Sequence, residues 1–150
     1  MKTIKEILGS RKPYSVSPDM SVRSVVDYLV EKQVGAVAVC EGANPVGVFS
    51  ERDLMRRVVN AGLDPDATPV SQVMTKDVVS VEMGAPHSKA MSLMLDKNFR
   101  HLAVRDSDGR FKGFVSIRDL LEVDLAEARE LIARLNDNYY HHEFDQRRTP

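Results

Sequence analysis

The chain has 150 residues, 43% of them hydrophobic, with 21 basic against 22 acidic side chains and a formal net charge of −1. That is enough for one compact domain or two very small ones sharing a core, and the even charge balance excludes the single-sign field that gathers nucleic acid or an anionic membrane over a whole surface. One cysteine, Cys40, excludes an intrachain disulfide and a cysteine-based zinc site.

The opening "MKTIKEIL" carries charges inside its apolar stretch, and no run of 18 apolar residues follows anywhere, so a cytoplasmic protein without a membrane span is expected. "IKEIL" reads as a short helical turn and "YSVSP" (14–18) as a short strand. Val22, Val25, Val26, Leu29 and Val30 then recur at helical spacing behind a possible cap at Ser21. "VGAVAV" (34–39) and "VGVFS" are apolar runs joined by the turn-forming "EGANP", which predicts a hairpin. A helix with Leu54 and Val58 follows, and the Gly and Pro residues of "NAGLDPDATP" end it. The same order then returns: a helical turn "VSQVM", a strand in "VSVEM" (79–83), and a helix with Ala90, Met91, Met94 and Leu95. After it come a hairpin from "FRHLAV" through "DSDG" to "KGFVS", and a long helix with Leu121, Leu125, Ala128, Ile132 and Leu135 on one stripe.

This return is an internal repeat at an offset of 65 to 66 residues, the one-residue change falling in the hairpin turn. Each unit reads strand, helix, strand, strand, helix. Neither buries both faces of so small a sheet alone, so an α/β (α+β) pair packed about a pseudo-two-fold axis with a common core is expected. The boundaries are 1–62 for the first repeat, 63–69 for the linker, 70–124 for the second repeat and 125–150 for a C-terminal helix and tail. Cys40 reads as a small hydrophobe near a strand end, and Met74, Met83, Met91 and Met94 as core filler.

The sharpest signal is an eight-residue stretch written twice, "GVFSERDL" (47–54) and "GFVSIRDL" (113–120). In each copy a strand runs into a helix at Ser50 or Ser116, with Asp53 or Asp119 three residues on. Ser followed by an acid at that spacing approximates a capping box, which accounts for the pair structurally. A helix start with free N–H groups is also an anion site, the acid can accept two hydrogen bonds from a ribose diol, and Arg52 and Arg118 between them serve a phosphate although no cap needs them. Both readings stand on these residues.

A Gly, apolar, any, Ser/Thr, any, any, Asp pattern closing a unit that occurs twice, together with "NFRHLAVRDSDGRFKGFVSIRDL", resembles the cystathionine β-synthase (CBS) domain pair, or Bateman module, over residues 1–124. The resemblance implies a regulatory unit that takes an adenosine-containing ligand (AMP, ADP, ATP, S-adenosylmethionine or an NAD-type molecule) in clefts between the repeats and forms a disc-shaped homodimer. It implies ribose-binding roles for Asp53 and Asp119, phosphate or ribose contacts for Ser50 and Ser116, and phosphate-facing roles for Arg100 and His101. "VGAVAV" lacks such basic residues, so the cleft of Asp119, Ser116, Arg118, Arg100 and His101 is expected to bind more tightly than that of Asp53. Gly35 and Ala36 are small enough for a flat base to approach, and Val16 and Val81, beside Ser80, are candidates for an apolar adenine slot.

No nucleophile elbow, zincin helix or Walker loop is present, so no catalytic role or catalytic cofactor is expected. His141, His142 and Glu143 do not form an evident metal site, since adjacent helical histidines point about 100° apart. The long C-terminal stripe is expected to pair with a second subunit rather than lie on its own module. With no catalytic domain in the sequence, output would pass to a separate enzyme or transporter. The alternative is a ligand-free dimerising scaffold in which both motifs act only as helix caps.

Overall fold

A computed structural model describes residues 1–146, with side chains through residue 139. The predicted order of elements is present: α1 (Ile4–Leu8), β1 (Ser15–Val16), α2 (Val22–Lys32), β2 (Ala36–Glu41), β3 (Asn44–Ser50), and α3 (Glu51–Asp53), which continues as π-helical turns over Leu54–Val59. After a 3-10 turn at Val70–Gln72 come β4 (Ser80–Glu82), α4 (His87–Lys97), β5 (His101–Arg105), β6 (Phe111–Ser116) and α5 (Ile117–Gln146). Each repeat forms a mixed three-stranded sheet, β1-β2-β3 or β4-β5-β6. The first pair in each sheet is parallel and the second antiparallel, with a register shift at the same place in both, Val39/Cys40 and Val104/Arg105.

Local chemistry explains the helices. Ser21 caps α2 by accepting the Ser24 N–H, and both α2 and α4 end on a left-handed residue, Gln33 and Asn98. Val22, Val25 and Leu29 of α2 and Ala90 and Met94 of α4 are buried, as the periodicity predicts. Val30 and Leu95, placed on the same apolar faces by sequence, are instead 72% and 65% exposed. They occupy equivalent positions, so the exposure is itself repeated. In α5 the core-facing residues are Leu120 and Val123, one step round the helix from the expected stripe. Leu121, Leu125, Ile132 and Leu135 face outward, which removes the option that the stripe lies on its own module.

The expected single common core is resolved into two repeat cores and a smaller seam. Val16, Val22, Val25, Leu29, Phe49 and Val58 belong to the first core, and Val81, Ala90, Met94, Leu102, Val115 and Leu120 to the second. Ala38 and Cys40 of one sheet meet Ala103 and Phe111 of the other across the seam, where small residues let the sheets approach. Cys40 is therefore a buried apolar filler, and Met74 and Met94 are buried in the cores.

The short segments that precede each sheet are exchanged. Ile4 and Leu8 of α1 pack into the second core, whereas Val70, Val73 and Met74 pack into the first. The backbone repeats the exchange: Ile4 and Lys5 donate to the Ala85 and Met83 carbonyls, and Val70 and Ser71 donate to those of Met20 and Pro18. This explains the glycine that opens each repeated motif. A β-carbon on Gly47 would collide with Met74 Sδ, and one on Gly113, held at φ +139°, would lie 3.0 Å from Leu8 Cδ1. Each glycine makes room for the other repeat's leading segment.

Candidate ligand-binding site

Both Ser-x-x-Asp motifs form complete capping boxes at the ends of β3 and β6. The Asp53 N–H donates to Ser50 Oγ at 3.4 Å and the Ser50 N–H to Asp53 Oδ2 at 3.0 Å. The corresponding distances for Asp119 and Ser116 are 3.1 and 2.7 Å. The caps do not exhaust the carboxylates. In each repeat the remaining acceptor capacity is taken by a residue of the connector that follows an exchanged segment.

At Asp119 that residue is Arg11, whose guanidinium donates through Nη1 to Oδ2 at 2.8 Å and through Nη2 to Oδ1 at 2.7 Å. This is a two-bond fork between residues 108 positions apart. Burial alone would raise the Asp119 pKa, but the Arg11 fork and the Ser116 N–H and hydroxyl outweigh it and hold the carboxyl below its ordinary value. At Asp53, which is buried, the partners are Thr75 Oγ1 at 3.3 Å and Arg57 Nε at 3.6 Å. Arg57 is itself tied to the Met74 carbonyl at 2.9 Å.

Strand pairing sets the rest of the neighbourhood. His101 lies opposite Ser116 in the β5–β6 ladder and feels the Asp119 charge, while Arg100 is exposed next to it, its carbonyl accepting the Ile117 N–H at 2.8 Å. Partial desolvation of the His101 ring by its neighbours and the nearby Arg100 charge disfavour its protonated form more than Asp119 favours it, so its pKa is lowered. The same geometry puts Ala36 opposite Ser50 and Gly35 under Glu51, whose N–H donates to the Gly35 carbonyl. A cavity of about 260 Å³ opens on the Arg11–Asp119 pair, lined also by Lys2, Glu6, Ile7, Glu122 and Val123. Its walls are α1 and α5, so it touches Asp119 from the helix side rather than from between the sheets.

Other expected site residues lie elsewhere. Arg118 is exposed and pairs with Glu122 at 3.2 Å along α5, and Arg52 points outward without a hydrogen bond or ion pair among the described residues. Val16 and Val81 have their side chains in the two cores, because alternate strand residues face opposite sides, while Ser80 is half-buried. The side chains of His141, His142 and Glu143 lie outside the described residues. Sequence reasoning missed Arg11, Thr75 and Arg57. Only the exchange of the leading segments brings the first two to the carboxylates, and no local pattern encodes it.

Among the described residues no helix is long and apolar enough to cross a membrane. A family model described as "CBS domain" matches the chain twice, over residues 4–60 and 70–126. An uncharacterized 17.7 kDa protein of Acidianus ambivalens is 34% identical over 121 residues, covering 80% of this chain and 72% of that one. A solved CBS-domain protein from Burkholderia ambifaria superposes with a TM-score of 0.76 at 32% identity, covering 83% of this chain and 95% of that one. The CBS domain protein PAE2072 of Pyrobaculum aerophilum, solved in complex with AMP, gives a TM-score of 0.72 at 30% identity over 79% and 89% of the two chains. Two matched copies, two three-stranded mixed sheets and two capped Ser-x-x-Asp motifs lead to one conclusion: the chain belongs to the CBS-domain family and carries the domain as a tandem pair.

Proposed function

We propose that the chain is a regulatory module that binds an adenosine-containing ligand (AMP, ADP, ATP, S-adenosylmethionine or an NAD-type molecule) at Asp119 and passes the change to a separate enzyme or transporter. The observation that carries this reading is the Arg11–Asp119 fork. Arg11 occupies the two oxygens that a ribose diol would use. A diol arriving there takes over the carboxylate and frees the guanidinium, a permanently charged planar donor suited to phosphate. His101 is near the same carboxylate, and with the exposed Arg100 next to it would supply further donors to a phosphate. The Asp53 side has Gly35, Ala36 and Thr75 in the corresponding places, and it is the weaker site in this account. The AMP complex of the Pyrobaculum relative supports the choice of ligand class.

Arg11 sits in the connector between α1, which packs on the second repeat, and β1, which pairs in the first sheet. Exchanging arginine for ligand on Asp119 therefore acts on a segment that joins the repeats. A ligand moves such an equilibrium only by its difference in affinity between the two states.

The test is a thermal-shift screen of AMP, ATP, S-adenosylmethionine and NADH on wild type and Asp119→Ala. At least one ligand raises the wild-type Tm by mass action, and Asp119→Ala loses most of that shift while remaining folded. The completed capping boxes favour a second reading, the ligand-free dimerising scaffold. Ser116→Ala costs about 1 kcal/mol of stability under either reading. A flat response to every adenosine compound selects the scaffold.

A further inference from the structure

The pseudo-symmetry exposes one polar group that the fold does not require. His87 opens α4 where Val22 opens α2, and the equivalence is exact in hydrogen bonding: the His87 N–H donates to the Lys2 carbonyl as the Val22 N–H donates to that of Thr68. Asp124 of α5 likewise occupies the place of Val58. Val22 and Val58 are fully buried in the first core, so an apolar pair suffices at this position. The second repeat instead holds an imidazole whose side chain is only 5% exposed, with Nε2 2.8 Å from Asp124 Oδ1.

The environment fixes the ring. Nδ1 lies 3.0 Å from the Lys2 carbonyl oxygen, and because a carbonyl can only accept, Nδ1 carries the hydrogen. The 2.8 Å contact of Nε2 with Asp124 Oδ1 is a hydrogen bond when the ring carries a second proton, whose place a metal ion would take, and Glu127, one turn further along α5, offers a second carboxylate. One ligand atom from each of His87, Asp124 and Glu127 lies within 4.8 Å of the others. The Met1 ammonium stands at 3.9 Å from Glu127, near the limit of an ion pair. We infer that His87, Asp124 and Glu127 form a binding site for one borderline divalent cation of the Zn²⁺ type, separate from the nucleotide site.

The donor set suits that class: one imidazole nitrogen and two carboxylates, with a backbone carbonyl orienting the histidine from behind. Tetrahedral zinc places its ligand atoms roughly 3.4 Å apart, so rotations of the two partly exposed carboxylates would complete the shell and leave a position for water. A cation here would tie α4 to α5 and, through the Lys2 carbonyl, to the segment that carries α1 and Arg11.

The experiment is calorimetric titration of the metal-stripped full chain with ZnCl₂ in a non-chelating buffer, with Tm measured in parallel. Wild type and a His141→Ala/His142→Ala variant are expected to take up one Zn²⁺ per chain at the same affinity with a rise in Tm. His87→Val, which restores the residue type of the first repeat, Asp124→Asn and Glu127→Gln should each weaken binding by about tenfold or more. The two carboxylate variants lie at the partly exposed rim and keep the test usable if His87→Val fails to fold. Absence of zinc binding to wild type, binding unchanged in His87→Val, or binding lost only in the His141/His142 variant each overturns the site.

Discussion

Asp119 caps α5 through Oδ2 and holds Arg11 through both oxygens, and both duties need the ionised carboxylate. The folded carboxyl ionises below its ordinary value, so between the two pKa values the unfolded chain binds a proton that the folded chain does not. Stability from this group is complete above the ordinary carboxylate range and is lost as pH falls through the folded pKa. Urea midpoints followed from about pH 5 downward should therefore drop more steeply for wild type than for Asp119→Asn, and superimposable acid limbs would contradict the assignment. Arg11→Ala gives a split of opposite sign. Adenosine, which lacks phosphate, should bind more tightly because nothing competes for Asp119, whereas AMP should bind more weakly because its phosphate loses a donor. A parallel loss for both compounds in calorimetry would make Arg11 structural. Ser50, Asp53, Ser116 and Asp119 were legible in the sequence because the repeat marks them twice. Arg11 was not, since its role depends on a contact over 108 positions.

At the scale of elements, the repeated glycine is a packing requirement. Gly47→Ala would drive a methyl group into Met74, an overpacking cost of about 1–3 kcal/mol. Combining it with Met74→Ala should recover part of that loss, measured as a favourable coupling in a double-mutant cycle by urea unfolding. Strictly additive losses would place the strain elsewhere. The order of strands and helices was legible from periodicity and turn chemistry because these are local properties, repeated in two copies. The exchange of α1 and the 70–74 segment between sheets was not, because a repeat identifies like units without saying which sheet a connecting segment lies on. The outward turn of Leu121 and Leu125 has a related cause. Leu120 and Val123 share α5 with them, so apolar spacing alone offered two neighbouring stripes, and only the position of β6 selects the inner one.

Over the whole molecule, exposed apolar residues recur in symmetry-related pairs: Val30 with Leu95, Met55 with Leu121, and Val59 with Leu125. Scattered exposure is ordinary, but repetition on the helices of both repeats defines matching patches on one chain. A two-fold partner would cover both at once. Sedimentation should accordingly show a homodimer, and Val59→Asp combined with Leu125→Asp should give a folded monomer; a monomeric wild type would remove the dimer. The central event of the proposed function is the exchange of Arg11 for a ribose on Asp119. The most direct measurement is a crystal structure with whichever adenosine compound raises the Tm. The account predicts the ribose hydroxyls on the Asp119 carboxylate and the Arg11 guanidinium turned away toward phosphate, and a ligand bound elsewhere with the Arg11–Asp119 fork intact would contradict it.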